Sequence, residues 1–330
     1  MRDYANFGAP HSPDLRRIQL HSRRCNWFWV ALIAFPALSG CSHAHSQTVS
    51  AIKPPPIEFV QEWGVRGTEP GQFENPIGPA LDPIGRVYFA DRATSFVQKF
   101  EAAGIPLLCF VSAAARTADA IAVDSGGAIY VANSRIGTIQ LFFPEGDPLR
   151  ALRFAPRRNY VGPFFFSIDA DGKIYVPDPA GARIQVFNSH GQLLRIWRVL
   201  PEASERSAHP FAAIANNDAV YVGDADGGRI LKFTRDGVQT EGFKSPDSSG
   251  DSRLLGLAAA GKHVFALRGS PVRLEVWSEE GHRELIDTLG NRLSGVESAA
   301  YLAADGVGDL IVLDSDARRV LRFRTHLDLP

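Results

Sequence analysis

Four arginines, Arg150, Arg153, Arg157 and Arg158, lie close together and are followed by Tyr160 and the run Phe164 to Phe166. Guanidinium groups beside aromatic rings suit an anionic sugar, a phosphate or an acidic protein partner, because the guanidinium is planar, always charged and stacks on rings. A solvated basic face above a phenylalanine core would give the same pattern, and for Phe164 to Phe166 core packing is expected. His43 and His45 form an HxH pair in a polar stretch, where solvated imidazoles are the ordinary outcome. Neither a GxSxG elbow, a GxxxxGK[ST] loop, an HExxH helix nor a CxxC pair occurs. The aspartate pairs Asp224/Asp226 and Asp314/Asp316 fall at turns of a repeating unit, which favours a structural role.

These residues sit in a chain of 330 with 45% hydrophobic content, enough to bury a large core. Lys plus Arg number 35 and Asp plus Glu 36, so bulk charge gives no reason to expect a nucleic acid partner. The 30 glycines and 22 prolines suit many short strands joined by turns. Of the three cysteines, Cys25 and Cys41 belong to the amino-terminal segment, leaving Cys109 as a lone thiol expected in the core.

The first 26 residues are polar and carry Arg16, Arg17, Arg23 and Arg24; Trp27 to Leu38 (WFWVALIAFPAL) is almost wholly apolar. That is the order of an export signal, and it falls short of the about 20 apolar residues that span a bilayer. The apolar run leads into LSGC, Leu38 to Cys41, which resembles the lipobox of bacterial lipoproteins. The resemblance implies cleavage before Cys41, a diacylglycerol on its thiol and firm anchoring, since each buried methylene adds about 0.8 kcal/mol. Ser42, where aspartate would resemble an inner-membrane retention signal, implies the outer membrane. Residues 42–56, SHAHSQTVSAIKPPP, read as a flexible tether stiffened by its prolines.

From residue 57 onward a unit recurs six times. Its middle run appears as RVYFA (Arg86 to Ala90), AIYVA (Ala128 to Ala132), KIYVP (Lys173 to Pro177), AVYVG (Ala219 to Gly223), HVFAL (His263 to Leu267) and DLIVL (Asp309 to Leu313). Five of the six are followed by an acid or amide, Asp91, Asn133, Asp178, Asp224 and Asp314; the fifth has Arg268 instead. The next run ends at an aromatic, Phe100, Phe142, Phe187, Phe233, Trp277 and Phe323, in steps of 42, 45, 46, 44 and 46 residues. Short apolar runs, turn residues between them and a period near 45 predict an array of small antiparallel sheets. The turn between the first two runs is expected to be about one residue shorter in units four and five.

GQFENPIG (Gly71 to Gly78), the DxxG turns and YFAD, with RIQVF in unit three, resemble the NHL repeat, and six units imply an all-β, six-bladed β-propeller. The expected organisation is a signal peptide at 1–40, a lipidated cysteine and linker at 41–56, the propeller at 57–325 and a tail at 326–330. A ring must close or leave raw strand edges. Phe59 to Trp63 (FVQEW) resembles LLRIW, Leu193 to Trp197, and is expected to pair with Arg319 to Phe323. The resemblance further implies a ligand site at the mouth of a central channel, nominating Asn75, Asp119, Tyr160, His209 and Glu297, with Arg253 as a sixth. Function is expected to be binding or scaffolding in the cell envelope, through an envelope protein or surface component and without a cofactor. Two alternatives remain: a small anionic ligand at the Arg150 to Arg158 loop, or metal-dependent lyase or hydrolase chemistry. The amidating lyases, whose repeat is similar, use zinc on three histidines, whereas here His209 alone falls at an inner strand and His190, His263 and His282 fall near hairpins. Calcium would draw on Glu297, Asn75 and Asp119, as in gluconolactonase-like sites.

Overall fold

The computed structural model describes residues 55–327 apart from 157–163, 202–207, 217, 226–227, 245–252, 270–271, 288, 290–291, 293–299 and 307. The described residues form 24 strands in six four-stranded sheets. The chain enters with β1 (Ile57–Trp63) and then lays down blade 1 as β2 (Pro76–Leu81), β3 (Val87–Asp91), β4 (Phe96–Phe100) and β5 (Pro106–Val111). A one-turn helix, α1 (Ala113–Arg116), leads to blade 2, β6 (Ala120–Val123), β7 (Ile129–Asn133), β8 (Thr138–Phe142) and β9 (Pro148–Arg153). Blade 3 is β10 (Ser167–Ile168), β11 (Ile174–Asp178), β12 (Arg183–Phe187) and β13 (Leu193–Arg198). Blade 4 is β14 (Pro210–Asn216), β15 (Ala219–Asp224), β16 (Arg229–Thr234) and β17 (Gln239–Lys244). Blade 5 is β18 (Leu254–Ala260), β19 (His263–Arg268), β20 (Arg273–Ser278) and β21 (Arg283–Asp287). Blade 6 takes β22 (Ala300–Ala304), β23 (Asp309–Asp314) and β24 (Arg319–Thr325) from the end of the chain.

Its fourth strand is β1. Phe59 pairs with Phe323 and Trp63 with Val320, so the expected closure is present and extends to Ile57 opposite Thr325. Each sheet is covered on both faces by its neighbours, which is why the second strands are buried throughout and read as unbroken apolar runs rather than alternating ones. The core is accordingly divided into six apolar layers, one between each pair of adjacent blades. The layer joining blade 6 to blade 1 holds Ile311, Leu313 and Val320 against Val87, Phe89 and Phe100. Trp63 packs into it, 4.9 Å from Phe100 and 5.8 Å from Phe89 between ring centres.

A second contact repeats around the ring. In blades 1 to 5 the turn before the outer strand carries a glycine seated on a large side chain from the preceding blade's outer strand: Gly104 on Trp63, Gly146 on Phe110, Gly191 on Leu152, Gly237 on Trp197 and Gly281 on Phe243. At Gly237 the backbone has φ +87°, and a Cβ would lie 2.2 Å from the Trp197 ring, so only glycine fits. Trp63 therefore engages blade 1 as any outer strand engages the blade after it. The shorter turns of units four and five are also present: Asn216 pairs with Ala219 and Ala260 with His263, whereas in blade 1 the Asp82 amide bonds to the Arg86 carbonyl. Cys109 is buried, and that burial pushes its thiol pKa up to about 12.

Candidate functional site: the channel and its two mouths

The six first strands stand around a central channel, and the two ends of that channel are built from the two kinds of repeat acid. At one end lie the turns that follow the first strands, with Asp82, Asp124, Asp169 and Asp305 around a cavity of about 260 Å³. Asp82 shows the use of this residue: Oδ1 accepts from the Ile84 and Arg86 amides at 3.2 and 2.9 Å, and Oδ2 accepts from the Tyr88 hydroxyl at 2.9 Å. Burial by itself would raise the Asp82 pKa, but the Arg86 amide and guanidinium and the Tyr88 hydroxyl stabilise the anion, and the pKa ends below the ordinary aspartate value. Burial, then the neighbouring carboxylate, raises the Tyr88 pKa well above normal. Asp124 with Tyr130 and Asp169 with Tyr175 repeat the arrangement. The DxxGxxY spacing is thus a turn clamp: one carboxylate closes the hairpin and anchors a tyrosine on the next strand.

At the other end, the acid closing the second strand clamps the entry to the first in blades 1 and 4. Asp91 accepts from the Glu74 and Asn75 amides at 2.8 and 3.0 Å, and Asp224 accepts from the His209 amide at 2.8 Å. Three of these acids also pair with the first arginine of the third strand: Asp178 with Arg183 at 2.7 Å, Asp224 with Arg229 at 2.8 Å and Asp314 with Arg319 at 2.8 Å. Blade 5 departs from the scheme. Arg268 occupies the acid's place, and the compensating carboxylate is Glu275 on β20, 2.7 Å from Arg268 Nε, both side chains fully buried.

Asn75, Asp119, His209 and Arg253 each immediately precede a first strand, in blades 1, 2, 4 and 5 respectively. Three play one backbone part, accepting from the residue after the second strand: Asn75 from the Arg92 amide, His209 from Ala225 and Arg253 from Gly269. Of these four, Asp119 reaches the channel wall. It is buried and holds the Ser134 amide and hydroxyl. Tyr160, Glu297, Arg157, Arg158 and Cys41 lie outside the described residues.

The arginine group requires a correction. Arg150 and Arg153 belong to the outer strand β9, not to a loop entering blade 3. PLRALR reads as a polar connection because an outer strand buries little, here Leu152 alone. His263 starts β19 beside Glu284 at 3.1 Å, while His190 and His282 sit in the turns before β13 and β21. Among the described residues, no group of three or more histidines, cysteines or acids is arranged to hold a metal.

The channel is lined mostly by residues with apolar side chains. A cavity of about 230 Å³ is bounded by Ile77, Ile121, Phe165, Ile214, Leu257 and Tyr301. That is smaller than the about 300–1,000 Å³ of ordinary small-molecule pockets. Phe165 reaches across toward both sides, edge-on to Tyr301 at 5.7 Å and to Phe211 at 6.2 Å. Core packing is expected for all three phenylalanines, and Phe164 and Phe166 are buried there. Phe165 is placed by a feature with no sequence signature. Its amide donates to the Phe211 carbonyl and its carbonyl accepts from the Ala213 amide, so this segment bonds to blade 4 and leaves blade 3 an inner strand of two residues, Ser167–Ile168. The Ser167 hydroxyl extends the seam by accepting from the Ala215 amide.

The sheets, their order and the closure define a six-bladed β-propeller, and solved structures agree. Virginiamycin B lyase from Staphylococcus aureus superposes with a TM-score of 0.55 at 11% identity, over 81% of this chain and 99% of that one. Streptogramin B lyase gives 0.54 at 13%, over 82% and 88%. The Cps50 (Swd1) β-propeller domain of Myceliophteria thermophila gives 0.55 at 10%, over 81% and 98%. At such identities the likeness is one of fold. No protein-family model and no curated protein matches the sequence.

Proposed function

We propose that this chain is an NHL-type propeller lipoprotein, anchored through Cys41, that serves as a binding or scaffold module in the bacterial envelope. The observation that carries the reading is how the repeat's polar residues are used. The acids of the two turn series, where described, are occupied by amides, arginines and tyrosines, mostly of their own blades, with Arg235 of blade 4 on Asp169, and the channel between them is narrow and crossed by Phe165. What remains available for function is the outside of the ring and the loops above it. The lyase chemistry named for two structural neighbours belongs to those proteins, and their likeness at 11–13% identity supports a common fold rather than a common reaction. The test is crosslinking in intact cells followed by capture of the protein, with Cys41→Ala as the unanchored control. A defined envelope partner held by the anchored form is the expected result. Recovery of the wild-type chain without acyl groups would overturn the address, and absence of any partner would overturn the role.

A further inference from the structure

The six outer strands differ in chemistry. β1 carries Glu58 and Glu62, β17 carries Glu241 and Lys244, β21 carries Arg283, Glu284 and Asp287, and β5 carries no charge. β9 and β13 are different: PLRALR and LLRIWR hold two arginines each and no acid. Their arginines occupy equivalent stations. Arg150 and Arg195 stand opposite the fourth residue of the neighbouring strand, Leu141 and Val186, while Arg153 and Arg198 stand opposite the first, Thr138 and Arg183. β13 also exposes large aliphatic side chains, with Leu193 51%, Leu194 47% and Ile196 46% accessible. It is the outermost strand of its sheet, so one of its edges has no strand partner among the described residues. Exposed edges of this kind usually carry charge to repel other strands, yet both charges here have one sign, which repels cations and invites anions.

We propose that the free edge of β13, with β9 beside it as a second copy of the same pattern, receives an extended segment of a partner protein in which apolar and acidic residues alternate. Main-chain hydrogen bonds would extend the blade 3 sheet by one strand, apolar side chains would cover Leu194 and Ile196 on one face, and carboxylates on the other face would meet Arg195, with Arg198 adding positive charge at the end of the strand. Charge decides among the possible occupants. A second copy of this chain paired antiparallel through β13 would bring the arginines of both strands together. The chain's own residues before 55 carry only Asp3 and Asp14 as acids, and none from 15 onward. Arg195 is paired with Asp236 at 3.2 Å on the exposed surface, a bond weak enough to be exchanged for an incoming carboxylate.

This deepens the binding role proposed above and rests on it for biological meaning, but its test is separate. The probe is a fluorescein-labelled decapeptide alternating valine and glutamate, with a valine–lysine peptide as counterpart, read by anisotropy against the purified chain. The wild type should prefer the glutamate peptide by about tenfold. Arg195→Glu combined with Arg198→Glu, two exposed positions, should reverse the preference, and hydrogen exchange should slow at residues 193–198 when the glutamate peptide is bound. Equal affinity for both peptides, no binding of the glutamate peptide, or protection confined to another blade would each overturn the proposal. So would dimerisation of the free protein that protects β13, because the occupant would then be a second copy. A partner captured in cells by a variant that no longer binds the peptide would leave the envelope role standing and remove this edge from it.

Discussion

The Arg268–Glu275 pair allows the packing logic of the ring to be tested quantitatively. Both side chains are fully buried, with Nε and Oε2 2.7 Å apart, and Arg268 also donates to the Gly228 carbonyl of the preceding blade. Burial lowers the Arg268 pKa while Glu275 opposes that shift, so the guanidinium depends on its partner. Replacing Arg268 by methionine leaves the Glu275 carboxylate facing Arg273 and Arg283 at 3.6 and 3.7 Å, contacts too long to replace the lost bond. Breaking one side of a buried pair costs about 3–5 kcal/mol, a large part of a domain stability of about 5–15 kcal/mol. The double variant Arg268→Met/Glu275→Gln removes both charges and should recover most of that loss. A third variant, Arg268→Asp/Glu275→Gln, recreates the scheme of blades 3, 4 and 6, because Arg273 already occupies the station of Arg183, Arg229 and Arg319. It should be close to wild type, whereas Arg268→Asp alone buries a second acid beside Glu275 and should be the worst of the set. Urea unfolding can be followed through Trp277, whose indole lies 3.3 Å from Glu275 Oε2 and stacks on Phe243. If Arg268→Met lies within about 1 kcal/mol of wild type, or if the double variants lose the sum of the singles, the pair is not coupled as described and the reasoning fails.

Other consequences can be checked on the same protein. Trp63→Ala should cost about 3 kcal/mol and lower the melting temperature, and deleting residues 57–63 should expose the β24 edge and cause aggregation visible by light scattering. Gly237→Ala should destabilise by about 2 kcal/mol or more through the Trp197 clash, while Gly306→Ala, where a Cβ would meet nothing within 4 Å, should be tolerated in thermal melts. Because the folded Asp82 pKa lies below its unfolded value, its contribution is fully present above about pH 4 and is lost as pH falls through the lower folded value. Asp82→Asn should therefore be less stable at neutral pH and show a flatter loss of stability in acid; an unchanged acid slope would contradict the clamp.

The second strand of every blade is legible in the sequence because sheets covered on both faces demand continuous apolar runs and because a turn acid ends most of them, and the third is legible from the aromatic that recurs near its end. Closure is legible for a related reason: Trp63 and Trp197 do the same packing work, so FVQEW and LLRIW look alike. Outer strands are harder to read, since solvent on one side relaxes the pattern; this is how Arg150 and Arg153 read as a loop. The two-residue β10 escapes altogether, because the bonds that shorten it run to another blade and depend on no local residue type. Arg268 stands out as an anomaly in sequence, but its remedy at Glu275 emerges only from the register that sets Arg268 opposite Arg273, two residues away. Asn75, Asp119, His209 and Arg253 are legible as positions before inner strands. Their main-chain duties, and the commitment of Asp119 to Ser134, required coordinates.

Ile57 and Thr325 are register partners, so the ring's first and last strands begin and end side by side on one rim. A short covalent linker between them would make an endless loop, and the break could then be moved to any hairpin facing solvent. Which sheet is built from two distant pieces is thus a matter of where the chain enters the ring, and a permuted gene should yield the same ring with its seam elsewhere.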